Sequence, residues 1–112
     1  SFSAAISACE KGRKWEHALS LKDEMRAVSV VPDVISFNAI ISACEKGQKW
    51  ESALALLDEM RAAGIVPDVI SFNALISACE KGQEWNLALS LLDEMQTVGV
   101  APNVISFNAA IS

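Results

Sequence analysis

Three kinds of residue return at fixed spacing in this 112-residue chain, and together they suit the binding of a flat, hydrogen-bonding ring. An asparagine stands at Asn38, Asn73 and Asn108, with Ser3 in the same place at the start of the chain. An isoleucine lies three positions earlier, at Ile35, Ile70 and Ile105. An acid or amide, Asp33, Asp68 or Asn103, lies two positions before each isoleucine. An ionised carboxylate only accepts hydrogen bonds, whereas an amide both donates and accepts. The isoleucine offers a contact for the ring face while the polar groups meet its edge. Asp33, Asp68 and Asn103 also suit helix N-caps, a duty that would account for them by itself. An asparagine inside a helix has no such duty and is a poor helix former, although recent duplication would also carry an unused one along.

Other chemistry is sparsely represented. His17 has no counterpart elsewhere in the chain and reads as a surface residue. There is no second histidine, no glycine-rich phosphate loop and no cysteine–histidine cluster, and the HxE and CxxC pattern of a zinc deaminase is missing. The expectation is therefore a non-enzyme, with no catalytic residue, metal, cofactor or small-molecule substrate. Cys9, Cys44 and Cys79 occupy one slot of successive units. Neighbouring helices pack about 8–10 Å apart, too far for the Cα separation of about 4.4–6.8 Å that a disulfide needs. Buried, reduced thiols in a reducing intracellular compartment are expected.

What must position these residues is a repeat. Phe2, Phe37, Phe72 and Phe107 set a period of 35 residues, which Trp15, Trp50 and Trp85 follow. The units are 1–33, 34–68 and 69–103, with 104–112 beginning a fourth. A fixed period of this size marks a stacked-repeat architecture. Within a unit, Phe37, Ile40, Ile41 and Cys44 fall on one helical face. Asp33 precedes this first helix as N-cap, Pro32 separates it from the preceding unit, and Gly47 is expected to end it. Trp50, Ala53, Leu54, Leu57 and Met60 form a second stripe, placing the tryptophans in the hairpin core, and Gly64 and Pro67 close the unit. One hairpin cannot bury both stripes, but stacked neighbours can. The fold class is all-α, an α-solenoid of about three helical hairpins plus one extra helix. In the first copy Lys22 replaces the leucine of Leu57 and Leu92, so it must snorkel or be paired. Ser29 likewise replaces Gly64 and Gly99, and this hairpin is expected to be the looser one.

The formal net charge of −5 argues against a protein that grips nucleic acid mainly through phosphates. Nine of the acids (Glu16, Asp23, Glu24, Glu51, Asp58, Glu59, Glu84, Asp93, Glu94) lie in the second half of a unit, which leaves the first half much less acidic. The acidic pairs there read as a solvated face. No apolar run approaches the length of a membrane span, and no membrane partner is expected.

The segment VISFNALISACEKGQEWNLALSLLDEMQTVGVAPN, residues 69–103, resembles the pentatricopeptide repeat. It has the 35-residue length, the aromatic–Asn start, the Ala-Leu pair in the second helix, the acidic–Glu-Met segment and the closing Gly-x-x-Pro-Asn. The resemblance covers the whole chain and recurs in register. It implies a right-handed superhelix whose first helices line a concave groove for single-stranded RNA, read at one base per repeat, in RNA processing or stability. It further implies base reading by Ser3 with Asp33, Asn38 with Asp68, and Asn73 with Asn103, Asn108 having lost its partner. The family pattern would assign these pairs to guanine, uracil and a pyrimidine with cytosine preferred, giving 5′-G-U-C/U-3′. Ile35, Ile70 and Ile105 resemble base-sandwiching residues, and Lys11, Lys46 and Lys81 match a basic slot that would approach phosphates. A mitochondrial or plastid location is implied by the resemblance alone. Two or three bases would give about micromolar affinity or weaker. The competing reading is a protein-interaction scaffold of the same fold with a protein partner, which the acidic balance favours.

Overall fold

The computed structural model describes residues 2–12 and 14–111, apart from the side chains of Ser3 and Ile111. The described residues form α1 (Phe2–Lys11), α2 (Trp15–Ala27), α3 (Val34–Lys46), α4 (Trp50–Ala62), α5 (Val69–Lys81), α6 (Trp85–Thr97) and α7 (Val104–Ile111), with no strand among them. Consecutive pairs make three antiparallel hairpins, and α7 stacks on α5 as a further first helix.

Side-chain caps start the first helices. The Ser36 N–H donates to Asp33 Oδ1 at 2.9 Å before α3. Before α5 the capping is reciprocal: the Ser71 N–H donates to Asp68 Oδ1 at 3.0 Å, and the Asp68 N–H donates to Ser71 Oγ at 3.1 Å. Asn103 and Ser106 repeat the exchange before α7 at 3.0 and 3.2 Å. These bonds satisfy amide groups that the first turn of a helix leaves without carbonyl partners.

The second helices end in paired Schellman-type bonds. The Ile65 N–H donates to Met60 O at 2.8 Å and the Gly64 N–H to Arg61 O at 3.1 Å. This closure requires a left-handed residue, supplied by Gly64 (φ 74°), by Gly99 (φ 84°) and, in the first unit, by Ser29 (φ 60°).

The first helices close differently from the sequence expectation. Gly47 has φ −82°, and the left-handed residue is Gln48 at φ 59°. Glycine is needed at 47 for space. A Cβ there would sit 2.6 Å from Trp15 Cδ1 of the preceding unit, and the Trp50 ring crowds Gly82 in the same way. The tryptophans are thus seam residues between units, not the hairpin core. Trp15 and Trp50 are half-buried, and Lys49 Nζ lies 5.3 Å from the Trp15 ring centroid. Trp85 is exposed.

The hairpin core consists instead of Phe37, Ile40, Ile41 and Cys44 on α3 against Ala53, Leu56, Leu57 and Met60 on α4, and the matching residues of the third unit. Leu54 is only half-buried, and Leu56 takes its place. Cys44 and Cys79 are buried and unbonded, and burial pushes both thiols up to about 11. Cys9 is unbonded but half-buried. Ile6 is the sole fully buried hydrophobic residue described on α1.

The stack bends. The first helices α1, α3, α5 and α7 pack directly on one another, whereas no Cα of α2 comes within 8 Å of α4, nor of α4 within 8 Å of α6. Closely spaced first helices and splayed second helices put the first helices on the concave side. Long charged side chains bridge the splayed side. Lys22 Nζ donates to both oxygens of Glu59 at 2.8 and 2.7 Å, joined by Arg26 at 3.0 Å, and Arg61 pairs with Glu94. Lys22 is 6% exposed, so its charge is paired as a buried cation requires.

Candidate functional site

On the concave face the three isoleucines stand out into solvent. Ile35, Ile70 and Ile105 are 72, 61 and 59% exposed, while their helical neighbours Phe37 and Phe72 are fully buried. A groove of about 380 Å3 opens between Ile35 and Ile70, with Asn38 and Asp68 in its wall. A second, of about 510 Å3, opens between Ile70 and Ile105, with Asn73 and Asn108 in its wall. Both fall in the range of about 300–1,000 Å3 of small-ligand clefts. Ile70 is the partition between them.

The polar groups of the first groove are held by a serine that sequence reasoning passed over. Asn38 Nδ2 donates to Asp68 Oδ1 at 3.0 Å, joining the middle of one first helix to the cap of the next. Ser71 Oγ accepts the Asp68 N–H and lies against both Asn38 Oδ1 and Asp68 Oδ1, offering its one proton to that pair. Ser71 is fully buried, so these bonds replace water that it cannot reach. With its carbonyl turned to Ser71, Asn38 keeps one amide proton for the groove. The bonds from Asn38 and Ser71 converge on Asp68 Oδ1, which leaves Oδ2 as an acceptor. Burial pushes the Asp68 carboxyl up, but hydrogen bonds from the Ser71 N–H, the Asn38 amide and the Ser71 hydroxyl outweigh it, and the net shift is downward. The group is an anion at neutral pH.

The second groove repeats the arrangement more loosely, with one inversion. Asn73 Nδ2 lies 3.4 Å from Asn103 Oδ1, and Ser106 Oγ bonds Asn73 Oδ1. Asn103 Oδ1 is committed to Ser106 and Asn73, so the polar atom it has left is the Nδ2 donor. The first amide–cap pair therefore keeps a spare acceptor and the second a spare donor. Asp33 caps α3, and the Ser36 N–H bond is the main cause that holds its carboxyl below the usual range. Its expected partner, the Ser3 side chain, lies outside the described residues. Asn108 is exposed on α7.

The signal for the serines was present in the sequence: Ser36, Ser71 and Ser106 each follow the acid or amide by three residues. Two of the expected phosphate contacts are already occupied. Lys46 Nζ pairs with Glu10 at 3.0 Å, and Lys81 Nζ pairs with Glu45. Lys11 is exposed and has no ion pair among the described residues. No group of three or more metal-ligating side chains is found among the described residues.

Comparison with known proteins agrees with this architecture. A family model described as the PPR repeat family matches residues 32–81 and 67–112, and one described as the pentatricopeptide repeat domain matches residues 1–46. Among curated proteins no match was found. Among solved structures, PPR10 in complex with an 18-nucleotide psaJ RNA element superposes with a TM-score of 0.88 at 31% identity, over 98% of this chain and 16% of that one. PPR10 from maize gives 0.88 at 25% identity, over 99% of this chain and 16% of that one. Nuclear proteinaceous RNase P 2 from A. thaliana shares the fold, with a TM-score of 0.85 at 12% identity, over 98% of this chain and 25% of that one.

Proposed function

The chain belongs to the pentatricopeptide repeat family, and from that premise we propose that it is a sequence-reading module for single-stranded RNA, taking one base per unit. The observation that carries the reading is the shared wall at Ile70 and Ala74: two successive grooves, each with its own first-helix asparagine, Asn38 or Asn73, in its wall. A strand laid along α3, α5 and α7 would place consecutive bases on either side of it. The likeness to PPR10 crystallised with RNA supports the same reading.

The polar atoms left on each amide–cap pair suggest which base it takes. Uracil offers an N3–H to Asp68 Oδ2, and its carbonyls accept the remaining Asn38 amide proton. Cytosine has an acceptor at N3, which suits the Asn103 Nδ2 donor. Ser3 with Asp33 would take guanine, whose N1–H and N2 amine can reach a carboxylate past a short side chain. The proposed target is 5′-G-U-C/U-3′, read in the service of RNA processing or stability. A second reading, a scaffold for a protein partner, draws on the net charge of −5 and on the pairing of Lys46 and Lys81 with glutamates.

The two readings separate in a lengthened array that repeats Val34–Asn103. RNA carrying the matching pyrimidines should bind, and the same RNA with purines at those positions should bind far more weakly, at low and at moderate salt. A folded array that binds no RNA, or binds both RNAs equally, would overturn base reading and favour the scaffold.

A further inference from the structure

Each groove has a glutamate in its wall that the base-reading chemistry does not use: Glu10 in the first and Glu45 in the second. Each is ion-paired with the lysine of the following unit, Lys46 or Lys81. Those lysines are the sole cations on α3 and α5. Cationic attraction to a strand running along these two helices therefore passes through Lys46 and Lys81, and both are held by carboxylates. The Glu45 side chain is 15% exposed and that of Glu10 28%. A lysine that turned to a phosphate would leave a poorly solvated carboxylate unpaired, so one anion would merely be exchanged for another.

The geometry points to Glu10 and Glu45 as attenuators of the RNA backbone contribution: each holds a lysine in reserve, lowering affinity for every sequence without changing which base is preferred. The inference rests on the RNA reading proposed above. Phosphate contacts supply sequence-independent affinity and carry no base information. Blocking them weakens matched and mismatched strands by the same factor and flattens the salt dependence.

The test compares the 112-residue chain with its E10Q/E45Q variant by fluorescence anisotropy. The probes are a labelled oligonucleotide containing 5′-GUC-3′ and one of adenines alone, titrated across a range of salt. The variant should gain several-fold in affinity for both probes, keep the ratio between them, and steepen the log–log salt slope by about 0.7 per freed lysine. The gain should vanish in E10Q/E45Q/K46Q/K81Q, and a charge-matched D23N/D93N change on exposed second-helix acids should not reproduce it. Unchanged or weaker binding by a helical E10Q/E45Q chain overturns the inference, as does a gain that survives removal of the lysines. If the parent chain distinguishes the probes while E10Q/E45Q changes nothing, the attenuator alone fails. If neither chain binds either probe at protein concentrations far above the micromolar range expected of two or three bases, and the lengthened array does not bind its matching RNA either, the RNA reading fails and the attenuator falls with it.

Discussion

The Asn38 amide donates to the Asp68 carboxylate at 3.0 Å, from inside α3 to the cap of α5. A residue inside one first helix and the cap of the next thus form a single hydrogen-bonded pair, although 30 positions separate them. Asp68→Asn is the most direct probe of that pair. It keeps a competent cap but replaces the free carboxylate oxygen by a donor, as at Asn103. The slot proposed for uracil should then prefer cytosine, with a change in discrimination of about 1–3 kcal/mol and little loss of stability. Binding of a lengthened array to U- and C-containing RNAs reads the switch, and an unchanged preference would show that this pair does not choose the base.

Ser71 is the support beneath that pair. Replacing it by alanine leaves the half-buried Asp68 N–H without its side-chain acceptor and Asn38 Oδ1 without its donor at a buried bond. The expected cost is about 1–3 kcal/mol of folding stability, measured by urea denaturation. Discrimination by Asn38 should also fall, because its amide is no longer held in one orientation. Ser36→Ala, which removes a hydroxyl with no hydrogen bond to a preceding asparagine, should cost less.

Much of this architecture is written in periodicity. The stripe of Phe37, Ile40, Ile41 and Cys44 marks a helix face, and the 35-residue recurrence marks stacking. Both survive in the structure because each copy states them again. What periodicity conceals is which neighbour a residue meets. Trp50 sits on the apolar stripe of α4, so its seam contact with Gly82 looks in sequence like a core position. Gly47 looks like a helix terminator, since glycine serves both as a left-handed cap and as a gap for a neighbouring ring. Ser71 is hidden behind the ordinary capping pattern, and its contact with Asn38 exists only once two units are stacked.

The tryptophan–glycine seam carries its own control. A Cβ at Gly47 would meet Trp15 Cδ1 at 2.6 Å, whereas at the equivalent Gly12 the nearest atoms are 3.4 and 3.5 Å away. Gly47→Ala should destabilise the chain by about 1–3 kcal/mol through overpacking, and Gly12→Ala should be near neutral. Trp15→Ala should remove most of the additional cost of Gly47→Ala, a non-additivity expected of residues in contact. Equal effects of the two glycine substitutions would assign the conservation of space at 47 to something other than Trp15.

Acid should loosen the stack from the caps of its first helices. Asp33 and Asp68 both have folded-state pKa values below the ordinary carboxylate value. Their contribution is fully present above the unfolded value of about 3.9 and is lost as pH falls through the lower folded values. Melting temperature should therefore drop in that acid window. In Asp33→Asn/Asp68→Asn the caps stay but cannot titrate, so the drop should be smaller. Parallel melting curves of the two proteins against pH measure the difference.

Ser29 is the place where the first copy departs from a backbone requirement that the other two meet. It adopts φ 60° where Gly64 and Gly99 take the same left-handed turn. The turn itself is intact, with the Val30 N–H bonded to Met25 O at 2.7 Å and the Ser29 N–H to Arg26 O at 3.0 Å. The serine Cβ raises the energy of that conformation, and about 1–2 kcal/mol separates left- from right-handed backbone for a residue with a side chain. Ser29→Gly removes that strain but adds freedom to the unfolded chain, which offsets part of the gain. The net expectation is a stabilisation of up to about 1 kcal/mol, seen as a higher urea midpoint at unchanged slope. Gly64→Ser, the reverse change one unit later, should destabilise by a similar amount. If both substitutions shift the midpoint in the same direction, the left-handed closure is not what distinguishes the first hairpin from its neighbours.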